Sequence, residues 1–196
     1  DRPADAILSG VEILGENRVQ EAREKRARMD PALADSARWH LVGSLQKNKA
    51  RLVPGLIDAV ESVDSLALAQ ELARRVEGSG AAPLEIFVQV NTGEEAQKGG
   101  VAPGEVQDLL KETIRLPALK TVGLMCLPPF EDNPEKSRTH FRLLRRLRDE
   151  ALGAGIETVA DLSMGMSADY EVAIEEGATF VRIGTAIFGE RSPGLA

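Results

Sequence analysis

The 196-residue sequence predicts an α/β protein built as a single (β/α)8 barrel. Seven strand-like segments alternate strictly with helical segments, and such alternation indicates a parallel sheet. The segments begin near residues 11, 39, 58, 84, 119, 159 and 180. Seven β-α units are more than an open doubly wound sheet of this length usually has, and one fewer than a closed (β/α)8 barrel has. We therefore expect the first barrel strand just before Asp1. Polar residues follow the strands at their carboxyl ends, where barrels keep their active sites: Asn17, Ser44, Asn91, Ser167 and Thr185.

The amino-terminal half predicts three short strands separated by helices. A helix over residues 3–10 has Pro3 near its first turn, a position that proline favours. A charged helix over residues 19–29 ends at Asp30-Pro31, because the residue before a proline disfavours the helical conformation. We expect another helix to begin after Ser44. Asp64 and Ser65 then cap an amphipathic helix that runs to about residue 77.

The segment 84–90 is the clearest strand of the chain. Its alternate residues form one apolar face, whereas Glu85, Gln89 and Asn91 lie on the other. A wall that is apolar outside and polar toward one end suits a barrel with a polar mouth. The following elements are a helix over 103–115, a strand over 119–127, a proline-rich loop over 128–134 and a basic helix over 135–153.

The last part of the chain carries the predicted ligand site. A strand over 158–163 leads into the loop 164–167, and a helix over 168–176 ends at Gly177, where a left-handed C-cap is expected. The strand 180–183 then leads into the loop 184–186. Two parallel strands therefore end in two loops at the same edge of the sheet, and each loop carries a hydroxyl and a small residue. The first loop also opens a helix, whose free N–H groups favour an anion, so we expect a phosphate here.

Arg182 lies on the same strand face as Phe180 and Gly184, opposite Val181 and Ile183. If the two aliphatic residues pack against outer helices, the guanidinium points into the barrel. A buried arginine needs acceptors, which either a carboxylate on a neighbouring strand or a ligand supplies. The adjacent phosphate-type loops favour the ligand.

The composition describes one ordinary globular domain over residues 1–196, with 43% hydrophobic and 28% charged residues. The net charge of −7 argues against a nucleic-acid surface, and no apolar run is long enough to cross a membrane. We expect a cytoplasmic protein, because the one cysteine, Cys126, suits a reducing compartment and excludes an internal disulfide. We interpret Cys126 as a small buried hydrophobe. With two distant histidines, no metal-binding set is visible.

Two further features have alternative interpretations. His40 is either a base or, more in keeping with its apolar neighbours, a hydrogen-bonded core histidine. The helix that carries Arg138, Arg142 and Arg145 presents either a solvated face or a protein or phosphate contact, and the solvated face is the default.

Four motifs resemble one known family in order and spacing along essentially the whole chain. They are GENRVQE (15–21), WHLVGSLQKNK (39–49), LSMGMSAD (162–169) and VRIGTAIFGER (181–191). Together they resemble the pyridoxal 5′-phosphate (PLP) homeostasis protein family, whose members are single-domain PLP-binding proteins related to the barrel of bacterial alanine racemase.

The resemblance implies a barrel of the alanine racemase N-terminal type with PLP at its mouth. Ser167, Gly184 and Thr185 match the residues that bind the phosphate, and Arg182 matches the arginine that faces the pyridine nitrogen. Asn17 resembles a residue beside the ring, and His40 and Met164 are expected to line the same mouth. The family's lysine that attaches PLP covalently corresponds to a position just before Asp1. Its role is not transferred to Lys47, Lys49 or Lys98.

The predicted function follows from the chemistry of Arg182. PLP catalysis relies on a protonated ring nitrogen, and an arginine, with a pKa above about 12, does not supply that proton. We therefore expect a protein that binds, buffers and delivers PLP, with apo PLP-enzymes as candidate partners and no robust amino-acid turnover. A monomer or weak homodimer is expected. The alternatives are a minimal PLP-dependent racemase and a barrel isomerase that acts on a phosphorylated metabolite.

Overall fold

A computed structural model describes residues 2–95 and 97–189, and within these ranges the chain forms one parallel sheet of seven strands. The strands are β1 Ile13–Glu16, β2 Arg38–Leu41, β3 Ala59–Val63, β4 Leu84–Val90, β5 Leu119–Cys126, β6 Asp161–Met166 and β7 Phe180–Arg182. Their spatial order is their sequence order, and every neighbouring pair is parallel. The sheet curls into a nearly closed barrel, which confirms the predicted fold.

Helices follow the strands and cover the outside of the sheet. They are α1 Arg2–Leu8, α2 Val19–Arg28, α3 Pro31–Asp35, α4 Leu66–Ser79, α5 Val106–Thr113, α6 Arg138–Gly153, α7 Tyr170–Glu175 and α8 Thr185–Phe188. Short 3₁₀ helices span Lys47–Leu52, Pro103–Glu105 and Pro134–Ser137, so the element expected after Ser44 is a 3₁₀ helix that begins three residues later. In the ranges that the structure describes, no helix is both long and apolar enough to cross a membrane.

Most of the apolar core lies between the sheet and its helices, in two clusters. Trp39 belongs to the first, has no exposed surface and donates its indole N–H to the Ala34 carbonyl at 2.9 Å. A small third cluster fills the barrel itself with Phe87, Met125 and their neighbour Phe180. Buried polar side chains, among them His40, Glu61 and Ser163, form the site described below.

Two strands begin at least two residues later than the sequence suggests. β1 starts at Ile13 rather than residue 11, and β6 runs over Asp161–Met166 rather than 158–163. Gly165, which the sequence places in a loop, is part of β6 with a φ of +90°. A Cβ there would lie 2.5 Å from the Cβ of Ala173, so the missing side chain lets α7 pack directly on the strand.

The glycine predicted to end α7 is found at its carboxyl end. Gly177 follows the helix with a φ of +92°, which is the left-handed conformation expected at this position. The chain then reverses into β7, with the Thr179 N–H donating to the Leu162 carbonyl. This short connection aligns the ends of β6 and β7.

Candidate functional site

The turns that follow β6 and β7 meet through the hydroxyl of Ser167. Its Oγ accepts hydrogen bonds from the backbone nitrogens of Gly184 at 3.3 Å and Ala186 at 3.5 Å. Ser167 is half-buried, whereas Gly184 and Thr185 are exposed. The structure therefore brings together the three residues that the sequence analysis placed around a phosphate. Two backbone N–H groups and one hydroxyl therefore meet at the surface where the two turns come together.

Asp169 fixes the shape of the first turn. Its Oδ1 accepts from the Met166 N–H at 2.7 Å, and its own N–H donates to the Met166 carbonyl at 3.0 Å. The residue is 8% exposed. Sequence reasoning missed Asp169, although an aspartate just before a helix is a recognised signal for a side chain that bonds the local backbone.

Arg182 points into the barrel, as the alternation of β7 predicts. Its Nη1 donates to the Ser163 hydroxyl at 2.5 Å and its Nη2 donates to the Cys126 carbonyl at 2.8 Å. The side chain is 14% exposed. Its Nε is buried and has no hydrogen-bond partner among the residues described. Two nitrogens of the guanidinium are thus anchored while the third keeps an unused donor, which is unusual for a buried polar group.

Glu61 of β3 is the main site residue that sequence reasoning missed. Its Oε2 accepts from the Ser163 hydroxyl at 2.6 Å, and its Oε1 lies 2.8 Å from His40 Nδ1. The same Oε2 is 3.9 Å from Arg182 Nη1. Because β3 and β7 are not neighbours, this chain of contacts crosses the barrel. The only sequence signal was a glutamate inside the otherwise largely apolar segment Ala59–Val63.

The pKa values reflect this burial. Burial acts to raise the pKa of Glu61, but the hydrogen bonds from His40 and Ser163 and the charges of His40 and Arg182 outweigh it, so the pKa falls below its usual value. Burial lowers the pKa of Arg182, and the Glu61 charge opposes that shift. Burial also raises the pKa of the Cys126 thiol to about 12, with the nearby Arg182 charge acting in the opposite direction. Cys126 is fully buried, as predicted.

Three other predicted site residues lie in different surroundings. Asn17 is exposed in the turn after β1, at the carboxyl end of the sheet. His40 is 1% exposed, is hydrogen-bonded to Glu61 and lies beside Phe180 with 5.8 Å between ring centroids. It is therefore a hydrogen-bonded core histidine, and its place at the mouth stays a prediction. Met164 has no exposed surface and packs with Val172 in the cluster outside the sheet. The place of Met164 at the mouth stays a prediction, and its buried side chain belongs to the cluster that also holds Val172 and Ala173.

The basic helix α6 combines a solvated face, on which Arg142 and Arg146 are 60% and 69% exposed, with a set of ion pairs to a neighbouring helix. Arg138, Arg142 and Arg145 approach the carboxylate of Glu176 at 2.8, 3.0 and 3.2 Å. The Glu176 side chain is 5% exposed. This ion-pair cluster joins α6 to the end of α7 and so stabilises the helix that follows the Ser167 turn.

The barrel and its site define a protein of the alanine racemase N-terminal class. A sequence profile described as "Alanine racemase, N-terminal domain" matches residues 2–192. An alanine racemase from Clostridium difficile 630 has the same fold, with a TM-score of 0.77 at 17% identity over 98% of this chain and 49% of that one.

Two closer relatives identify the family within this class. The pyridoxal phosphate homeostasis protein of Aquifex aeolicus (strain VF5) is 45% identical over 183 residues, which cover 93% of this chain and 78% of that protein. The structure of PipY from Synechococcus elongatus PCC7942 with PLP bound matches with a TM-score of 0.83 and 35% identity over 94% of this chain and 85% of PipY. The chain belongs to the pyridoxal phosphate homeostasis protein family.

Proposed function

We propose that this protein binds PLP at the carboxyl ends of its strands and holds it for PLP homeostasis, without turning over amino acids. The observation that carries the proposal is the buried, unpartnered Nε of Arg182, two residues before the Gly184 that contacts Ser167. A relative of the same family, PipY, has been solved with PLP bound, and other relatives carry the homeostasis name.

The residues present fit the chemistry of this cofactor. The hydroxyl of Ser167, the N–H groups of Gly184 and Ala186 and the exposed Thr185 would hold the phosphate, with the two N–H groups exchanging Ser167 Oγ for phosphate oxygens. We call this group of donors the Ser167 cradle. Because a phosphate has many acceptor lone pairs, a cradle of hydrogen-bond donors suits it. Asn17, exposed at the same end of the sheet, would lie beside the ring.

Arg182 determines what the bound ring does. PLP supplies a carbonyl that bonds to amines and a pyridine ring that withdraws electrons when its nitrogen is protonated. An arginine donates a hydrogen bond but keeps its own proton, so Arg182 would bind the ring nitrogen in its neutral form. A neutral ring nitrogen is a weaker electron sink, and this favours storage over turnover.

A second proton-transfer group at the site would be needed for racemisation. The single tyrosine of the sequence, Tyr170, begins α7, and its hydroxyl lies 3.4 Å from the Glu171 carboxylate. It is therefore engaged on the outer helix rather than in the barrel interior. His40 is likewise hydrogen-bonded to Glu61 and closed off from solvent.

Two measurements on the full-length protein test the proposal. Titration with PLP, followed by absorbance, is expected to give saturable binding, and D- or L-alanine added to the loaded protein is expected to remain unracemised. Absence of PLP binding contradicts the binding role, and steady racemisation contradicts the storage role. Transfer of bound PLP to an apo PLP-enzyme, followed by recovery of that enzyme's activity, tests delivery separately.

A further inference from the structure

We infer that Glu61 is a positioning residue that orients Arg182 for the ligand, acting through Ser163 and never touching the ligand itself. The inference rests on the proposed PLP site. Its basis is the ordered chain of contacts from Arg182 Nη1 to Ser163 Oγ at 2.5 Å and from Ser163 Oγ to Glu61 Oε2 at 2.6 Å.

The direction of these hydrogen bonds is fixed by chemistry. A serine hydroxyl has one proton, and an ionised carboxylate only accepts, so Ser163 donates to Glu61 and turns its lone pairs toward Arg182. The pKa of Glu61 is lowered, which keeps the carboxylate ionised near neutral pH. If Glu61 loses its negative charge, nothing requires the Ser163 hydroxyl to donate to it and to accept from Arg182. The Ser163 hydroxyl is then free to rotate, and Arg182 Nη1 loses a fixed acceptor.

The anchoring of the guanidinium determines where its free donor points. The guanidinium is planar, so fixing Nη1 on Ser163 and Nη2 on the Cys126 carbonyl also fixes the direction of the Nε–H bond. Nε is the guanidinium nitrogen that is buried without a partner in the described part of the chain. Glu61 therefore holds a preformed donor in place, and preorganisation of this kind strengthens ligand binding.

Glu61 is itself held from the opposite side. His40 Nδ1 lies 2.8 Å from Oε1, which leaves Oε2 for Ser163. Both Glu61 and His40 are at most 2% exposed. A glutamate that merely filled space would not need one oxygen on each of two partners.

The experiment compares two probes on the full-length protein. Pyridoxine 5′-phosphate carries the ring and the phosphate but no aldehyde, so its affinity reports non-covalent recognition. Inorganic phosphate reports the Ser167 cradle alone. We expect Glu61→Gln to weaken binding of pyridoxine 5′-phosphate about tenfold, since one oriented charge-assisted hydrogen bond has an effect of this order. The affinity for inorganic phosphate is expected to change by less than about twofold, because Ser167 and Gly184 are untouched.

Two further variants separate positioning from general damage. Ser163→Ala leaves Glu61 bonded to His40 and is expected to lower the affinity for pyridoxine 5′-phosphate but not for inorganic phosphate. The double variant Glu61→Gln/Ser163→Ala is expected to bind pyridoxine 5′-phosphate no more weakly than the weaker-binding of the two single variants, because both substitutions act through one contact. Glu176→Gln removes a buried, arginine-paired glutamate outside the barrel and is the matched control, with both affinities unchanged.

The outcomes are distinguishable. Selective loss in Glu61→Gln and Ser163→Ala supports the positioning role. Unchanged affinity for pyridoxine 5′-phosphate in Ser163→Ala overturns it even if Glu61→Gln does not fold, and so does an equal loss for both probes. A wild-type protein that binds neither PLP nor pyridoxine 5′-phosphate overturns the proposed function, and the inference with it.

Discussion

The hydroxyl of Ser167 lies 3.3 Å from the backbone nitrogen of Gly184, so a single side chain joins the turn after β6 to the turn after β7. The inward-facing Arg182 is two residues before Gly184, at the end of β7. This short separation in sequence links the turn that we propose to bind an anion to a cation inside the barrel. A ligand that carries a phosphate at one end and an acceptor nitrogen at the other would match the proposed site.

Replacing Ser167 with alanine tests the cradle. The change removes the hydroxyl and leaves the Gly184 and Ala186 N–H groups without a common partner. We expect binding of pyridoxine 5′-phosphate to weaken about tenfold, as for loss of one hydrogen bond to a charged group. Isothermal titration calorimetry measures the effect. The matched control is Ser36→Ala, because Ser36 is exposed at the end of α3 and its hydroxyl donates to the Leu33 carbonyl of that helix. Ser36 precedes β2 and so lies at the amino ends of the strands. Equal affinities in the two variants would contradict the role of Ser167.

The substitution Arg182→Lys tests the free guanidinium donor. An ammonium keeps the positive charge near Glu61, but its three N–H bonds leave a single atom and cannot span the positions of Nη1, Nη2 and Nε, which contact Ser163, contact Cys126 and remain free. We expect the affinity for pyridoxine 5′-phosphate to fall by about 10- to 100-fold. The exposed Arg115 provides the control Arg115→Lys, for which no change is expected. If Arg182→Lys binds pyridoxine 5′-phosphate as tightly as wild type does, this prediction is wrong.

Gly43 and Gly78 make a contrasting pair for stability. A Cβ at Gly43 would lie 2.1 Å from the Asn17 carbonyl oxygen, so Gly43→Ala must displace the turn after β1. We expect a loss of about 1–3 kcal/mol in the free energy of unfolding, as for overpacking. Gly78 is near the end of α4, where a Cβ would meet no other atom within 4 Å, and Gly78→Ala is expected to stabilise by about 0.5–1 kcal/mol. Urea denaturation measures both, and the same sign for both variants would contradict the packing described.

Glu176 gives stability a dependence on pH. Hydrogen bonding to Arg138, only partly offset by burial, lowers its pKa, with the charges of Arg142 and Arg145 acting in the same direction. A lowered carboxyl pKa stabilises the folded state above the ordinary glutamate pKa of about 4.3 and loses that effect as the pH falls through the folded-state value. Glu176→Gln is therefore expected to reduce the free energy of unfolding at pH 7 by about 1–3 kcal/mol.

The difference between wild type and Glu176→Gln should narrow as the pH drops below about 4.3. Glu150 is the control, because its pair with Arg146 is exposed on both sides at 3.6 Å. Glu150→Gln should change stability by less than about 1 kcal/mol at any of these pH values. A constant difference for Glu176→Gln from pH 7 to the acid range would show that its ionisation is not involved.

The buried thiol of Cys126 should be unreactive in the folded protein. Its pKa is raised to about 12 by burial, and the side chain has no exposed surface. Since the thiolate is the reactive form, we expect labelling by a disulfide reagent at pH 8 to be at least about 100-fold slower in the native protein than in denaturant. A native thiol that reacts at the denatured rate would mean that the interior near Arg182 opens readily.

The order of strands and the direction of Arg182 could be predicted from the sequence, because both depend on local periodicity. The alternation along residues 180–184 fixes which side chains of β7 face inward, and Phe180 and Arg182 do so. The polar residues that follow β6 and β7 meet because the carboxyl ends of parallel strands share one edge. The left-handed glycine after α7 follows from the same local reasoning.

The partners of these residues could not be predicted, because they come from distant parts of the chain. Glu61 meets Ser163 across 102 positions, and nothing near either residue specifies that contact. Glu176 collects three arginines from α6 that look solvated when the helix is considered alone. Gly165 resembles a loop residue in the sequence, because its role depends on the side chain of Ala173 on another element.

A crystal structure of the full-length protein with pyridoxine 5′-phosphate is the most direct test. We expect the phosphate within hydrogen-bonding distance of Ser167 Oγ and the Gly184 nitrogen, with the ring nitrogen opposite Arg182 Nε. A phosphate bound away from the Ser167 turn, or a ring nitrogen that faces a carboxylate instead of Arg182, would contradict the proposed site.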